Sequence, residues 1–332
     1  MHLKQLAILK QGVEAWNAWH KEFIAIPDHT IIQYVSPIDL SGADLCGMDL
    51  SGLELDGTNW KVSMWDTSPR VIPAIDFRAA RFRGANLHGA RLSHVHFDRA
   101  DFSGVDLGEA IFISPRLRDA NLSRANLSHV QIEGGYMIRV DLREADLSGA
   151  KLQQVNVGGI DLQGACLRGA DLCMSHTGFD PMANFSRVDL SEAKLSQMDL
   201  DDALMKEANL SAANLTFCQL KRANLSGAKL RSTHLSKVWL RAANLGGADL
   251  RGASLRNVDL SGACLHGADL RGSELVDVRL SGADLRGANL EEVDLSSADL
   301  QEADLRGAKF NWVFLLEAST RGVNLGNIKI DI

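Results

Sequence analysis

His94 and His96 stand one residue apart with His88 shortly before them, a spacing that could present imidazoles to a zinc ion. Aspartates recur along the chain at intervals of five, and that many carboxylates could act as general acid and base or as calcium ligands. Five cysteines, Cys46, Cys166, Cys173, Cys218 and Cys264, could bind metal or exchange electrons. Each reading meets a plainer one. Ten histidines in 332 residues bring one such pair together by chance. The cysteines are odd in number, scattered and without Cys-x-x-Cys, the usage of reduced thiols in a cytoplasmic protein. Gly-x-Ser-x-Gly, Gly-x-x-x-x-Gly-Lys-Ser/Thr and His-Glu-x-x-His are all absent. The expectation is a protein without catalytic residues, metal or cofactor.

The spacing of the aspartates leads to the elements that position them. From Gly246 to Gly307 the chain repeats Ala-Asp-Leu-Arg-Gly and near copies, with a leucine every fifth position from Leu245 to Leu305. Residues five apart lie 140° round an α-helix, so a helix would smear these leucines over its whole surface. A period of five requires a chain that turns a corner every five residues. Four corners close a square coil of about twenty residues, and stacked coils can hydrogen-bond at the roughly 4.8 Å spacing of β-strands. The central apolar site is filled at Leu40, Leu45, Leu50, Leu55 and Trp60, then at every position from Phe77 to Leu172 and from Phe185 to Leu315, and again at Leu325 and Ile330. Two residues earlier stands a small side chain, as at Ala85, Ala120 and Ala268, which also faces inward where a bulky group would not fit. The other three positions face water, and each aspartate is the outward residue of its repeat.

The tandem Ala-(Asp/Asn)-Leu-X-X units, covering roughly residues 38 to 330, resemble the pentapeptide-repeat family. The resemblance implies an all-β fold, a right-handed quadrilateral parallel β-helix of about 13–14 coils and roughly 65 Å. A leucine-packed interior leaves no cavity for a small-molecule substrate. Some members of the family are dimeric rods that imitate DNA and occupy the DNA-binding saddle of gyrase or topoisomerase IV. A type II topoisomerase is therefore the partner most readily named, and a purely structural or spacing rod is the alternative.

Residues 1–36 stand apart from the repeats of 37–332. Leu6, Leu9, Val13, Trp16 and Phe23 recur at helical spacing and predict one amphipathic helix over residues 2 to 24, a cap on the first coil. The repeat frame slips twice. Two extra residues fall within 66–71, and three fall within 173–184, where Gly178, Asp180 and Pro181 form turns. Each slip is a corner bulge or a contact loop. No stretch approaches eighteen consecutive apolar residues, so no membrane span is expected. The N-terminus shows no secretory pattern, which predicts a cytoplasmic location.

Net charge is −7, unevenly distributed. Asp39 to Asn59 carries five acids and no base, and Glu291, Glu292, Asp294, Asp299, Glu302 and Asp304 form a second base-free run. Ala208 to Ala248 carries Lys221, Arg222, Lys229, Arg231, Lys237 and Arg241 without an acid. One net charge per about 9 Å of rod is some fivefold sparser than the charge along B-DNA. That argues against uniform DNA mimicry and leaves the acidic run near the C-terminus as a local candidate. Nucleic acid itself is a poor partner for an acidic chain. Lys221, Arg222, Lys237, Trp239 and Arg241 share a face, and an exposed Trp among bases suits a protein contact. Stacking twenty apart also places Asp201 under Lys221 and Asp202 under Arg222. Trp312, Phe314 and Leu316 occupy outward positions around Val313 and Leu315, and predict either a capped end or a C-terminal homodimer.

Overall fold

A computed structural model describes residues 2–24, 38–40, 43–56, 75–173, 183–310 and 318–325. The chain divides into two compact units, Met1–Val157 and Gly158–Ile332. Both are parallel β-solenoid, with about 11 turns among the described residues, against the 13–14 coils that the repeat count implies for the whole chain.

The first unit begins with two helices, α1 (His2–Leu9) and α2 (Val13–Ile24), where the spacing of apolar residues predicts one. The break falls at Lys10–Gly12. Gly12 adopts φ +111°, which a side-chain-bearing residue rarely reaches, so the helix cannot run through it. Leu9 and Trp16 are fully buried, and the Asn17 side-chain amide donates to the Gly52 carbonyl at 3.1 Å. These contacts fasten the pair to the first coil, consistent with a cap. The Phe23 side chain lies outside the described residues.

Strands β1 (Ile38–Asp39), β3 (Ile75–Asp76) and β5 (Val95–His96) stack as one parallel sheet. Strands β2 (Glu54–Asp56), β4 (Arg91–Ser93), β6 (Ile111–Ile113), β7 (Gln131–Glu133) and β8 (Lys151–Gln153) stack as another. From β4 onward, partners are 20 residues apart, as Leu92 with Phe112 and Ile132 with Leu152. The first step differs: Glu54 pairs with Arg91 and Asp44 with Arg81, 37 residues apart and 17 more than one coil. The ladder thus passes directly from the coil at 38–56 to the coil at 75–93. The 37-residue step is seven five-residue repeats plus two, a frame slip of the size expected from the sequence. Trp60 and residues 66–71 lie outside the described residues.

The second unit is held mostly by single-residue bridges with the same 20-residue step, as Asn224 with Asn244 and Asn244 with Cys264. Short strands punctuate it: β9 (Ser254–Arg256) with β10 (Glu274–Val276), and β11 (Asn289–Leu290) with β12 (Lys309–Phe310). Asp161 pairs with Asn184 and Asp171 with Lys194, 23 apart, which is one coil plus the three residues expected within 173–184. Residues 174–182 lie outside the described residues.

The core follows the repeat. Every central residue from Phe77 to Leu172 and from Phe185 to Leu305 is buried. In the first unit five of them, Phe77, Phe82, Phe97, Phe102 and Phe112, form a ring stack, with Phe82 and Phe102 nearly parallel at 4.5 Å. The inward site two residues earlier is mostly Ala or Val, yet Leu53, Ile75, Ile160 and Met198 are also buried there. The expectation that bulky groups do not fit is therefore too strict. Polar residues at this site are satisfied locally: the Thr233 hydroxyl donates to the Leu210 carbonyl at 2.9 Å, and the Cys218 thiol donates to the Leu195 carbonyl at 2.9 Å.

Most corners follow one pattern. The N–H three residues after a central residue donates back to its carbonyl, as Ala248 to Leu245 at 3.0 Å, closing a β-turn. The second corner residue mostly has φ near +60°, glycine or not. The aspartate or asparagine before the centre accepts the N–H two residues on, as Asp259 from Ser261 at 3.0 Å. Its recurrence thus has a structural cause, since its short carboxylate or amide caps the corner.

Candidate partner-binding surface

With the interior filled, function must reside on the outward positions. Trp239 belongs to the row Gln219–Trp239–Asp259, where its neighbours are polar, and it is 43% exposed. One corner back, Lys237 Nζ lies 5.0 Å from the centre of the Phe217 ring, a cation–π contact, and Phe217 is also 43% exposed. Phe217 sits at a corner with φ +64°, a conformation that a bulky side chain reaches only at a cost of about 1–2 kcal/mol. A large apolar group held in strain and in water is the feature that the charge-based reading missed. Its signal was legible, for Phe217 stands two places after the centre Leu215, where the repeat favours Gly or a polar residue.

Lys221 and Arg222 meet the acids that twenty-residue stacking places beneath them. Arg222 Nε donates to Asp202 at 2.7 Å, and this bond holds the Asp202 carboxyl below its ordinary range. Lys221 Nζ is 3.7 Å from Asp201 and Arg241 Nε 3.6 Å from Asp259. The acid-free stretch is acid-free only along the chain, because acids one coil away neutralise much of it. Lys237 makes no ion pair among the described residues, so Phe217, Lys237 and Trp239 form the uncompensated centre of the face.

The acidic residues do not gather on one face. Glu291 and Glu292 occupy one corner, Asp294 the next face, Asp299 the one after, and Glu302 and Asp304 the following corner and face. Asp304 accepts from Arg306 at 2.6 Å and approaches Arg286 at 4.0 Å; the Arg306 bond depresses its pKa. Asp294 is depressed chiefly by the Ser296 backbone N–H. A run of fourteen residues encircles most of a twenty-residue coil, so a local charge run becomes a belt. Trp312, Phe314 and Leu316 lie outside the described residues.

The histidines are likewise separated. His88 Nδ1 lies 3.7 Å from Asp106, whereas His96 is ladder-paired with Asp76 and Arg116, and burial lowers its pKa. Among the described residues no group of three or more His, Cys, Asp or Glu is placed to hold a metal. Among them also no helix is long and apolar enough to cross a membrane.

This arrangement defines a class: a parallel β-solenoid of five-residue turns with a filled core and a polar exterior. The sequence pattern of pentapeptide repeats matches in eight copies between residues 75 and 311, and the chain belongs to the pentapeptide-repeat family. No curated protein matches it. Among solved structures it is similar to HetL of the cyanobacterium Nostoc sp. strain PCC 7120, a pentapeptide repeat protein involved in heterocyst differentiation regulation. The identity is 27% over 77% of this chain and 90% of that one, with a TM-score of 0.35. It is also similar to QnrB1, a plasmid-mediated fluoroquinolone resistance protein, at 18% identity over 86% and 92% of the two chains, with a TM-score of 0.28. A third similarity is to Rfr23 of the cyanobacterium Cyanothece 51142, at 25% identity over 40% and 88%, with a TM-score of 0.20.

Proposed function

We propose that this protein is a non-enzymatic scaffold that acts by binding another protein through its outward surface, with Phe217, Lys237 and Trp239 at the centre of the contact. What supports this reading is the strained, exposed Phe217 beside the exposed Trp239, since aromatic residues of this kind dominate binding energy at protein interfaces. Lys221, Arg222 and Arg241 form its charged rim. A type II topoisomerase is the first partner to test, on the family resemblance of the repeats. The belt of Glu291, Glu292, Asp294, Asp299, Glu302 and Asp304 would be the surface such an enzyme meets if DNA mimicry operates. In the same reading, two copies pair through Trp312, Phe314 and Leu316. Light scattering that finds the unaltered protein monomeric removes that pairing.

The experiment is a titration into a gyrase supercoiling reaction, with and without a quinolone. Inhibition at sub-micromolar protein, or rescue from the drug, supports topoisomerase binding; no effect at tens of micromolar (a thousandfold in affinity is about 4 kcal/mol) rejects that partner. Phe217→Gly with Trp239→Gln separates the contact from the fold: it should abolish the effect without lowering the melting transition, since glycine relieves the corner's φ of +64°. Full activity of that variant would reject the aromatic contact and favour a spacing rod without a hot spot.

A further inference from the structure

A second surface lies in the first unit, on the face and corner where three rows run up four successive coils. One row is Asp76, His96, Arg116 and Tyr136, joined by ladder pairing. Beside it run Arg78, Asp98, Arg118 and Ile138, then the corner residues Ala79, Arg99, Asp119 and Arg139. The Arg99 N–H donates to the Arg118 carbonyl at 2.8 Å and the Asp119 N–H to the Ile138 carbonyl at 3.0 Å, which fixes the coils' register. This patch holds five arginines and three aspartates in a chain whose net charge is −7.

Each aspartate takes one arginine. Arg78 pairs with Asp76 at 2.5 Å, Arg116 with Asp98 at 3.7 Å, and Arg139 with Asp119 through two bonds at 2.7 and 2.8 Å. Arg99 and Arg118 are left without an ion pair among the described residues, though both are close enough to Asp119 to help hold its carboxyl below the usual range. They stand on neighbouring coils, joined by the bond from the Arg99 N–H to the Arg118 carbonyl. Tyr136, 54% exposed, tops the adjoining row.

We propose that Arg99, Arg118 and Tyr136 bind an acidic segment of a partner protein, with the two guanidinium groups donating to successive carboxylates and the phenol ring covering an apolar neighbour. Guanidinium forks match carboxylates and phosphates alike. The three embedded aspartates decide between them: they would repel a continuous phosphate backbone, while a peptide with spaced carboxylates can straddle them. The surface is separate from the Phe217 and Trp239 contact and does not depend on it.

The test is fluorescence anisotropy with a labelled Glu-Glu-Leu repeat peptide and, in parallel, a labelled oligothymidylate. Expected are saturable peptide binding that weakens as salt rises and a loss of about tenfold in affinity, roughly 1.4 kcal/mol, in Arg99→Asn with Arg118→Gln. Asn is chosen at position 99 because it tolerates the corner's φ of +61°. Arg187→Asn, at a corner (φ +58°) whose guanidinium is already paired with Glu207 at 3.0 Å, should change nothing. Tighter binding of the oligothymidylate, absence of peptide binding, or equal peptide affinity in the double variant and the unaltered protein would each overturn the proposal. Unchanged melting of every variant shows that the fold is not the cause.

Discussion

Gly247→Ala is the substitution whose sign tests the corner geometry. An ordinary Gly→Ala change at a position with negative φ stabilises a protein by about 0.4–1 kcal/mol, because alanine has less freedom to lose on folding. At Gly247 the backbone has φ +65°, and an added Cβ would meet no atom within 4 Å. Steric clash is therefore excluded, and only the intrinsic strain of an L-residue in the left-handed region remains, about 1–2 kcal/mol. Subtracting the entropic gain leaves a net loss of about 1 kcal/mol. Ala242, at φ +55°, supplies the mirror experiment, and Ala242→Gly should stabilise by a similar amount. Urea unfolding followed by far-ultraviolet circular dichroism reads both, and the two midpoints should move in opposite directions. A Gly247→Ala protein as stable as its parent, or more so, would refute the shared corner conformation and with it the account of every non-glycine corner.

Other consequences are simpler to measure. Leu265→Ala removes a fully buried central residue flanked by coils above and below, and should cost about 2–5 kcal/mol in the same assay. Cys218 is buried and its pKa is pushed up to about 12 by desolvation, so Ellman's reagent should leave it untouched in the native protein while exposed Cys46 reacts. Asp141, Asp269 and Asp284 are held below the ordinary carboxylate value of 3.8 by side-chain bonds from Arg143, Arg271 and Arg286. Depressed carboxyls bind fewer protons folded than unfolded, so their stabilisation is complete above about pH 5 and is lost as pH falls below 4 through the folded values. A urea midpoint that rose on acidification would contradict these pairings.

The sequence makes the fold legible because a single five-residue period dictates both the inward leucine and the corner, and burial of every centre from Phe185 to Leu305 follows from it. Period does not report which coils pair with each other, so the pairing of Asp44 with Arg81 had to be seen. It also does not report φ, so the break at Gly12 was read as continuous helix. At the surface, runs of like charge were the visible signal, but neighbours there are twenty apart rather than adjacent in sequence. Stacking at twenty anticipated Asp202 beneath Arg222, whereas Arg99 with Arg118 drew no notice because their aspartates lie close by in sequence. Phe217 could have been found by asking of every corner position what was asked of Trp239.

The twenty-residue step between ladder partners has a further consequence for how such a chain can change. Adding or removing one five-residue repeat leaves every buried leucine in register, so the core does not record the event. Everything outward beyond that point in the unit is nevertheless indexed a quarter turn about the axis, and a row such as Gln219–Trp239–Asp259 is cut and rejoined to different neighbours. A whole coil gained or lost restores the rows and only shifts them along. Gene-level slippage by one repeat is thus a discrete dial that recombines surface patches at almost no cost in packing. A three-residue departure, like the 23-residue spacing from Asp171 to Lys194, is no multiple of the repeat and turns no such dial.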